Sequence, residues 1–430
     1  MHKRLLPLIA VLALALFSGN FILRQLLATS LLAFSNAAES RDLAADYAPS
    51  NPQALAAHGK YLLYRAEAPQ PAAGLAELER AVKASPFDYR FWLELGRGYE
   101  SDNQTERAER AYQQAQALAP RYFETQWALA NFYLRTARTT NALRAFRLAL
   151  ELSGETSGQT DARAALNAYE AVAQGLGMNL EALRQIAPPD ARAQAHLAKY
   201  LAEHQALDPA LEIWRGLPTS AQPERRELLS SLLNAAQASG RFQEARELWR
   251  NFVLNTGAPD WTAPNLIYNG DFELAFNSDL AGFDWRVTSH PEVFLRRDDA
   301  QAHTGRYSWR MTFAAQMKSE LLGPAQLLVV EPNKQYRLRF FAKTNKVPDN
   351  APFIELTDAE RPQLFAMRAP VPVGTQAWRE VLLTFTTPAE TRALRLMIRA
   401  PQLKEINTGH IAEVWLDDFT LEADPGRPLK

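Results

Sequence analysis

The sequence predicts a multidomain chain of α plus β class. An N-terminal membrane helix (1–34) leads into an α-solenoid of stacked helix pairs (51–255), a linker (256–264) and a C-terminal β-sandwich (265–424). Three observations carry this expectation. Side-chain sizes echo at a spacing of 34 residues through the first half, apolar spacing changes from helical to alternating near Asn255, and an apolar run follows a basic pair at the start.

The apolar run comes first in the chain. Lys3 and Arg4 precede Leu5–Leu23, a stretch broken only by Ser18, Gly19 and Asn20. As a helix these residues reach about 28 Å, close to the roughly 30 Å of a hydrocarbon core. Basic residues ahead of the run, with the rest of the chain behind it, favour a cytoplasmic start and an exported body. The expected location is therefore the inner membrane, with a single N-terminal anchor and a periplasmic or otherwise extracytoplasmic body. A cleaved signal and secretion are the alternative. The best small-residue site, Ser35-Asn36-Ala37, lies far beyond the run and across Arg24, so a retained anchor is favoured, with Arg24–Phe34 as an amphipathic continuation. No cysteine follows the run, which excludes a lipoprotein.

The repeat comes next. Trp92, Leu95, Gly96, Tyr99, Ala108, Tyr112, Ala115 and Pro120 are followed one period later by Gln126, Leu129, Ala130, Tyr133, Ala142, Phe146, Ala149 and Gly154. Small residues return where two helices must approach closely, and aromatics return where the gap between turns must be filled. Pro120 ends the second helix of its unit, because proline cannot continue it. One period earlier the pattern holds in Tyr61, Leu62, Gly74, Leu78, Ala81 and Pro86, with Arg65 where an aromatic is expected.

The segment from Phe91 to Pro120 resembles a tetratricopeptide repeat. Register breaks near Glu155–Gln159 and returns at Leu197, Ala198, Ala210 and Trp214, then at Leu232, Ala236, Ala245, Trp249 and Phe252. Asp161–Ile186 reads as a divergent pair, giving five to six units from Asn51 to about Asn255. Such units bury their apolar faces only against neighbours and leave a groove, so the resemblance implies a protein partner held there.

Asn255–Pro264, with two prolines and a glycine, reads as a linker. Beyond it, alternation with aromatic and β-branched residues marks short strands. In Tyr336–Lys343, Tyr336, Leu338, Phe340 and Ala342 oppose Arg337, Arg339, Phe341 and Lys343; in Ala393–Ala400, Leu394, Leu396 and Ile398 oppose Arg395, Met397 and Arg399. About 160 residues of this kind without helical stretches imply a sandwich.

NLIYNGDFE at Asn265–Glu273, Trp285, HTGRYSWRMTF at His303–Phe313, EPNKQYRLRFFAKT at Glu331–Thr344, WREVLLTFTTP at Trp378–Pro388 and VWLDDFTLE at Val414–Glu422 follow in order. Together they look like the jelly-roll carbohydrate-binding modules attached to bacterial glycoside hydrolases. The resemblance implies one concave face that stacks aromatic rings on sugars. Arg339, Phe341, Lys343, Arg395 and Arg399 are the candidates for that face, with Glu355 on a neighbouring strand. An excess of Arg and Lys there would favour an anionic sugar, since guanidinium pairs bidentately with carboxylate and phosphate. Trp285, Trp378 and Trp415 match core positions of the family. Modules of this type often hold a structural calcium near the chain ends of the domain. The matching acidic positions are Asp271, Glu273 and Asp418, with backbone carbonyls completing the ligand set. No other cofactor is implied.

Composition narrows the function. With 47 basic and 48 acidic residues the formal charge is −1, which argues against nucleic acid as a partner. Absence of cysteine removes thiolate nucleophiles and thiolate metal sites. The seven histidines are scattered, and no HExxH, GxSxG, GxxxxGK or GxGxxG motif occurs. The chain therefore reads as a non-catalytic, membrane-anchored scaffold of the bacterial cell envelope, its repeats holding a protein and its sandwich a glycan, in polysaccharide or envelope assembly. The alternative is a purely protein–protein scaffold whose sandwich binds no sugar. A glycosidase accessory subunit is a more distant third.

Overall fold

The computed structural model describes residues 2–34, 38–65, 69–154, 161–218, 222–255, 264–276, 282–314, 317–402 and 412–424. The chain forms two compact units, 1–197 and 198–430. The break expected at Glu155–Gln159, and all of the linker except Asn255 and Pro264, lie outside the described residues.

The helical half starts with α1 (His2–Phe34) and α2 (Ala38–Tyr47). Helix pairs follow: α3 (Pro52–Tyr64) with α4 (Pro71–Ala84), α5 (Tyr89–Ser101) with α6 (Thr105–Leu118), α7 (Phe123–Arg135) with α8 (Thr139–Ser153), and α9 (Ala162–Leu176) with α10 (Leu180–Ile186). Two more complete the series, α11 (Ala191–Glu203) with α12 (Leu207–Gly216) and α13 (Gln222–Ala238) with α14 (Phe242–Asn255).

The echo in sequence has a direct structural cause. Ala108, Ala142, Ala115 and Ala149 have no exposed surface, and a Cβ on Gly96 would stand 2.7 Å from the Tyr112 ring. Only small residues allow that approach. Tyr112 fills the space left, packing 5.2 Å from Phe132 and donating to Glu100 at 2.9 Å.

Turns within the pairs repeat as closely as the cores do. Gln104, Arg138, Ala206 and Arg241 each donate their backbone N–H to the carbonyl five residues earlier, all at 2.8 Å. This is the six-to-one bond that closes a helix C-terminus, and it needs a left-handed residue just before the donor. Asn103, Ala137, Gln205 and Gly240 take that conformation, with φ of 58° to 68°. Gly240 and Asn103 are residue types that favour this conformation, whereas Ala137 and Gln205 give no turn signal in the sequence.

A second repeated bond spans the place where the sequence register is lost. Trp92 Nε1 donates to the Pro86 carbonyl at 2.8 Å, and one period on Gln126 Nε2 donates to Pro120 at 2.7 Å. Gln194, three periods after Trp92, makes the same bond to Pro188 at 2.8 Å. An indole and a carboxamide share the position because both carry an N–H.

Helix α1 is continuous through Arg24. Ala28 is buried with Ala44, Ala48 and Ala54, and Leu31 and Leu32 pack against them. Ahead of that contact Phe17, Phe21, Ile22, Leu23 and Leu26 are exposed. Among the described residues no helix is long and apolar enough to cross a membrane, and the side chains of 2–16, which include most of the Leu5–Leu23 run, lie outside the description.

Among the described residues nine strands form the sandwich: β1 (Val293–Asp298), β2 (Ser308–Phe313), β3 (Leu321–Val329), β4 (Gln335–Val347), β5 (Phe353–Asp358), β6 (Ala366–Pro370), β7 (Gly374–Thr386), β8 (Ala393–Ala400) and β9 (Ala412–Ala423). They make two antiparallel sheets, ordered β1-β2-β9-β4-β7 and β3-β8-β5-β6. Inward residues of both sheets form one core that includes Trp285, Phe340, Leu396 and Phe419. Within the second unit α14 joins this domain, with Trp249 5.0 Å from Tyr268 and 5.7 Å from Phe283.

Candidate functional site

Alternation sorts each strand into core and surface sides. On β4, Tyr336, Leu338, Phe340 and Ala342 are buried, which turns Arg339, Phe341 and Lys343 outward; on β8, buried Leu394, Leu396 and Ile398 turn Arg395 and Arg399 outward. These outward residues do not share a face. Strand β4 belongs to the five-stranded sheet, whereas β5 and β8 belong to the four-stranded one. The single face expected from sequence is thus two, on opposite sides of the sandwich. A sandwich has two outer surfaces, and strand pairing decides which one a residue reaches.

On the four-stranded sheet the charges neutralise one another. Glu355, only 6% exposed, accepts from Arg368 Nε at 3.0 Å and from Arg399, which also pairs with Glu320. Arg395 stands exposed beyond this network. The four ion-paired residues are arranged to hold the sheet together, with few polar atoms left for a ligand.

On the five-stranded sheet the segment between β1 and β2 folds over the outward residues. The His303 ring stacks on Phe341 with centroids 3.7 Å apart and planes 13° apart, and meets Trp378 edge-on at 5.6 Å. His303 Nδ1 lies 2.6 Å from Asp418 Oδ2, and Thr304 Oγ1 donates to Asp418 Oδ1 at 2.6 Å. Lys343 donates to Gln301 at 2.5 Å and stands 5.7 Å above the Trp415 ring. Trp378 is half-buried on this outer face, which corrects its expected place in the core, whereas Trp415, beneath Lys343, is buried as expected. Trp285 is in the core, fully buried, donating to the Asn269 carbonyl at 2.9 Å.

A bulge builds the carboxylate side of the site. Pairing of β4 with β9 shifts between Arg339 and Phe341, and Asp418 sits at φ 50°. Regular alternation would send one of two successive residues inward; the bulge lets Asp417 and Asp418 both reach the covering segment. Asp417 is fully buried and accepts the backbone N–H of His303 at 2.8 Å and of Thr304 at 3.3 Å.

Burial, which these N–H groups only partly offset, pushes the Asp417 carboxyl up to about 7. A carboxyl raised in the fold binds its proton more tightly there than in the unfolded chain. Stability is therefore unpenalised below the unfolded value of 3.8 and falls as pH rises toward about 7. The sandwich is expected to melt about 4 °C or more lower at pH 8 than at pH 5, and Asp417→Asn should flatten that slope. An Asp417→Asn protein with the wild-type pH slope of Tm would refute the assignment.

The result is a cleft of about 710 Å³ lined by Tyr268, Asp271, Glu273, His303, Thr304, Arg339, Phe341 and Asp418 among others. One flat aromatic stack stands beside three carboxylates and one guanidinium. Carboxylates accept hydrogen bonds from sugar hydroxyls, so this lining suits a neutral glycan. Of the four basic residues behind the anionic preference expected from sequence, Arg339 and Lys343 stay on this sheet, whereas Arg395 and Arg399 stand on the other. His303, Trp378 and Asp417 complete the site and were not nominated from sequence; the one available signal was His303, which opens the HTGRYSW motif.

Asp271, Glu273 and Asp418 do line one cleft, as the calcium expectation requires. Their oxygens, however, face donors of the chain itself. Glu273 Oε1 accepts the backbone N–H groups of Arg306 and Tyr307, both at 2.7 Å, Asp271 Oδ1 accepts from Glu273 N at 3.4 Å, and both Asp418 oxygens are engaged by His303 and Thr304. Among the described residues no group of three or more His, Cys, Asp or Glu converges as a metal site would. This donor set does not fit a calcium cage.

Residues 264–404 match the family model CBM_4_9, described as a carbohydrate binding domain. Among solved structures, the chain is similar to "Family 16 Carbohydrate Binding Module-2" at 18% identity, covering 36% of this chain and 99% of that one, with a TM-score of 0.27. It is similar to the CBM22-1 xylan-binding domain from Paenibacillus barcinonensis Xyn10C at 17% identity, 39% and 100% coverage and a TM-score of 0.26. It is also similar to MamA at 17% identity, 46% and 93% coverage and a TM-score of 0.31. Structural likenesses of this size add no weight to the family match. No curated protein matches the chain. The sandwich is thus a carbohydrate-binding-module-like domain of CBM4/9 type, carried on a chain whose N-terminal half is built of helix pairs.

Proposed function

We propose that the protein is a non-catalytic, membrane-tethered adaptor of the cell envelope that holds a neutral glycan on its sandwich and a protein on its helix pairs. The observation that carries the reading is the aromatic cleft at Phe341 and His303, within the stretch matched by the carbohydrate-binding model. Two weak contacts on one tethered chain combine through high local concentration, which suits assembly of a polymer at a membrane.

Supporting the tether, α1 exposes Phe17, Phe21, Ile22, Leu23 and Leu26 behind a basic start. Cell fractionation tests it: the full chain should pellet with membranes, and removal of 1–34 should release it. A full chain found in the soluble fraction would end the tethered reading.

The protein-binding side has a defined chemistry. Lys60 on α3 pairs with Glu94 on α5 at 3.2 Å, and Glu100 on α5 with Arg135 on α7 at 2.6 Å. These bridges join the first helices of successive pairs, so a partner on that face meets a neutralised surface and must bind by shape and apolar contact. Exposed ion pairs contribute little to stability, roughly 0–1 kcal/mol each, so they can be rearranged by a partner.

One observation favours a second reading, a scaffold without sugar binding. His303 covers one face of the Phe341 ring at stacking distance, where a pyranose would otherwise lie. Binding of the full chain to insoluble neutral polysaccharides separates the two: retention supports the adaptor, and none, for a folded protein, leaves the scaffold.

A further inference from the structure

The corner at Asn269–Glu273 borders the aromatic cleft. Phe272 is fully buried at φ 57°, a strained left-handed conformation for an aromatic residue. The turn aims two successive carbonyls, of Phe272 and Glu273, at one point. Two carbonyl oxygens beside a carboxylate make an environment for a cation. In this chain that point is filled by a side chain: Arg297, on β1, donates Nε to the Phe272 carbonyl at 2.8 Å and Nη2 to the Glu273 carbonyl at 2.9 Å.

We infer that Arg297 is the built-in cation of this corner, replacing the calcium implied by family resemblance, so that the sandwich folds independently of metal. The guanidinium lies 4.0 Å from the centre of the Tyr307 ring. Tyr307 and Arg306 in turn give their backbone N–H groups to Glu273. Gly305, at φ 61°, lets the segment close there, because a Cβ would stand 2.5 Å from Glu273 Oε1. One planar fork therefore ties together the corner, the end of β1 and the segment that carries His303. Lysine, a point donor, could satisfy only part of this arrangement. The inference concerns the corner beside the cleft and holds whether or not a glycan binds.

The test is the near-UV circular dichroism melt of the full chain in millimolar calcium chloride and in EGTA, for wild type, Arg297→Gln and Arg297→Lys. Wild type should melt within about 1 °C in the two buffers, Arg297→Gln about 5 °C or more lower, and Arg297→Lys in between. A wild-type Tm that falls by about 3 °C or more in EGTA overturns the inference, as does an Arg297→Gln protein that melts with wild type. If Arg297→Gln does not fold, the wild-type buffer comparison and Arg297→Lys decide in the same way.

Discussion

Gly270→Ala is expected to abolish the folded sandwich while leaving the helix pairs intact. A Cβ at Gly270 would stand 2.2 Å from the Phe419 carbonyl oxygen and 3.1 Å from its carbon. Both atoms are backbone, so no side-chain rotation relieves the clash. The two residues are also bonded, since Phe419 N–H donates to the Gly270 carbonyl at 2.9 Å. Displacement of β9 from this turn would pull Phe419 from its stack on Phe340, at 4.9 Å, and from Trp285, at 5.5 Å. Overpacking against a rigid backbone costs at least about 3 kcal/mol, and the loss of the aromatic core adds to it. The measurement is near-UV circular dichroism, which should collapse while the far-UV helical signal persists. A near-UV spectrum and Tm like those of wild type would refute the packing account.

Phe341→Ala should cost about 2 kcal/mol of glycan affinity, a roughly 30-fold rise in Kd, because it removes the flat ring at the centre of the cleft. Removing the ring also frees His303 from its stack and leaves its ring held by Asp418 and by the edge contact with Trp378. Arg399→Ala serves as the contrasting substitution. Its partners are Glu355 on the four-stranded sheet and Glu320 just before β3, so it should lower Tm by a few degrees and leave affinity within about twofold. The two variants therefore separate a binding face from a stabilising one.

Much of the helical half was legible because its information is local. Spacing of 34 residues, small against large, follows from contacts between neighbouring helices, and Ala108, Tyr112, Ala142 and Phe146 are all fully buried or nearly so. Alternation in β4 and β8 was legible for the same reason. What could not be read was which sheet each strand joins. Strand β2 pairs with β9, about a hundred residues away, placing Arg310 opposite Trp415, and no local pattern encodes such a partner. The error of placing Arg395, Arg399 and Glu355 on the face of Phe341 follows directly, and it removes two of the four basic residues behind the expected anionic sugar. Asp417 was hidden because a bulge, invisible in the residue types, decides that two successive aspartates reach one segment. Trp378 matches a core position of the family pattern, although alternation on an edge strand turns it outward beside His303.

The central claim, that the outer face of the five-stranded sheet holds a neutral glycan, is tested most directly by calorimetric titration of the full chain. Neutral oligosaccharides, such as xylo- and cello-oligosaccharides, should be compared with uronate oligosaccharides for wild type, Phe341→Ala and Arg399→Ala. The account predicts binding of a neutral oligosaccharide that Phe341→Ala weakens about 30-fold and Arg399→Ala leaves within about twofold. Binding confined to uronates, binding lost with Arg399→Ala but kept with Phe341→Ala, or no binding by a folded chain would contradict it.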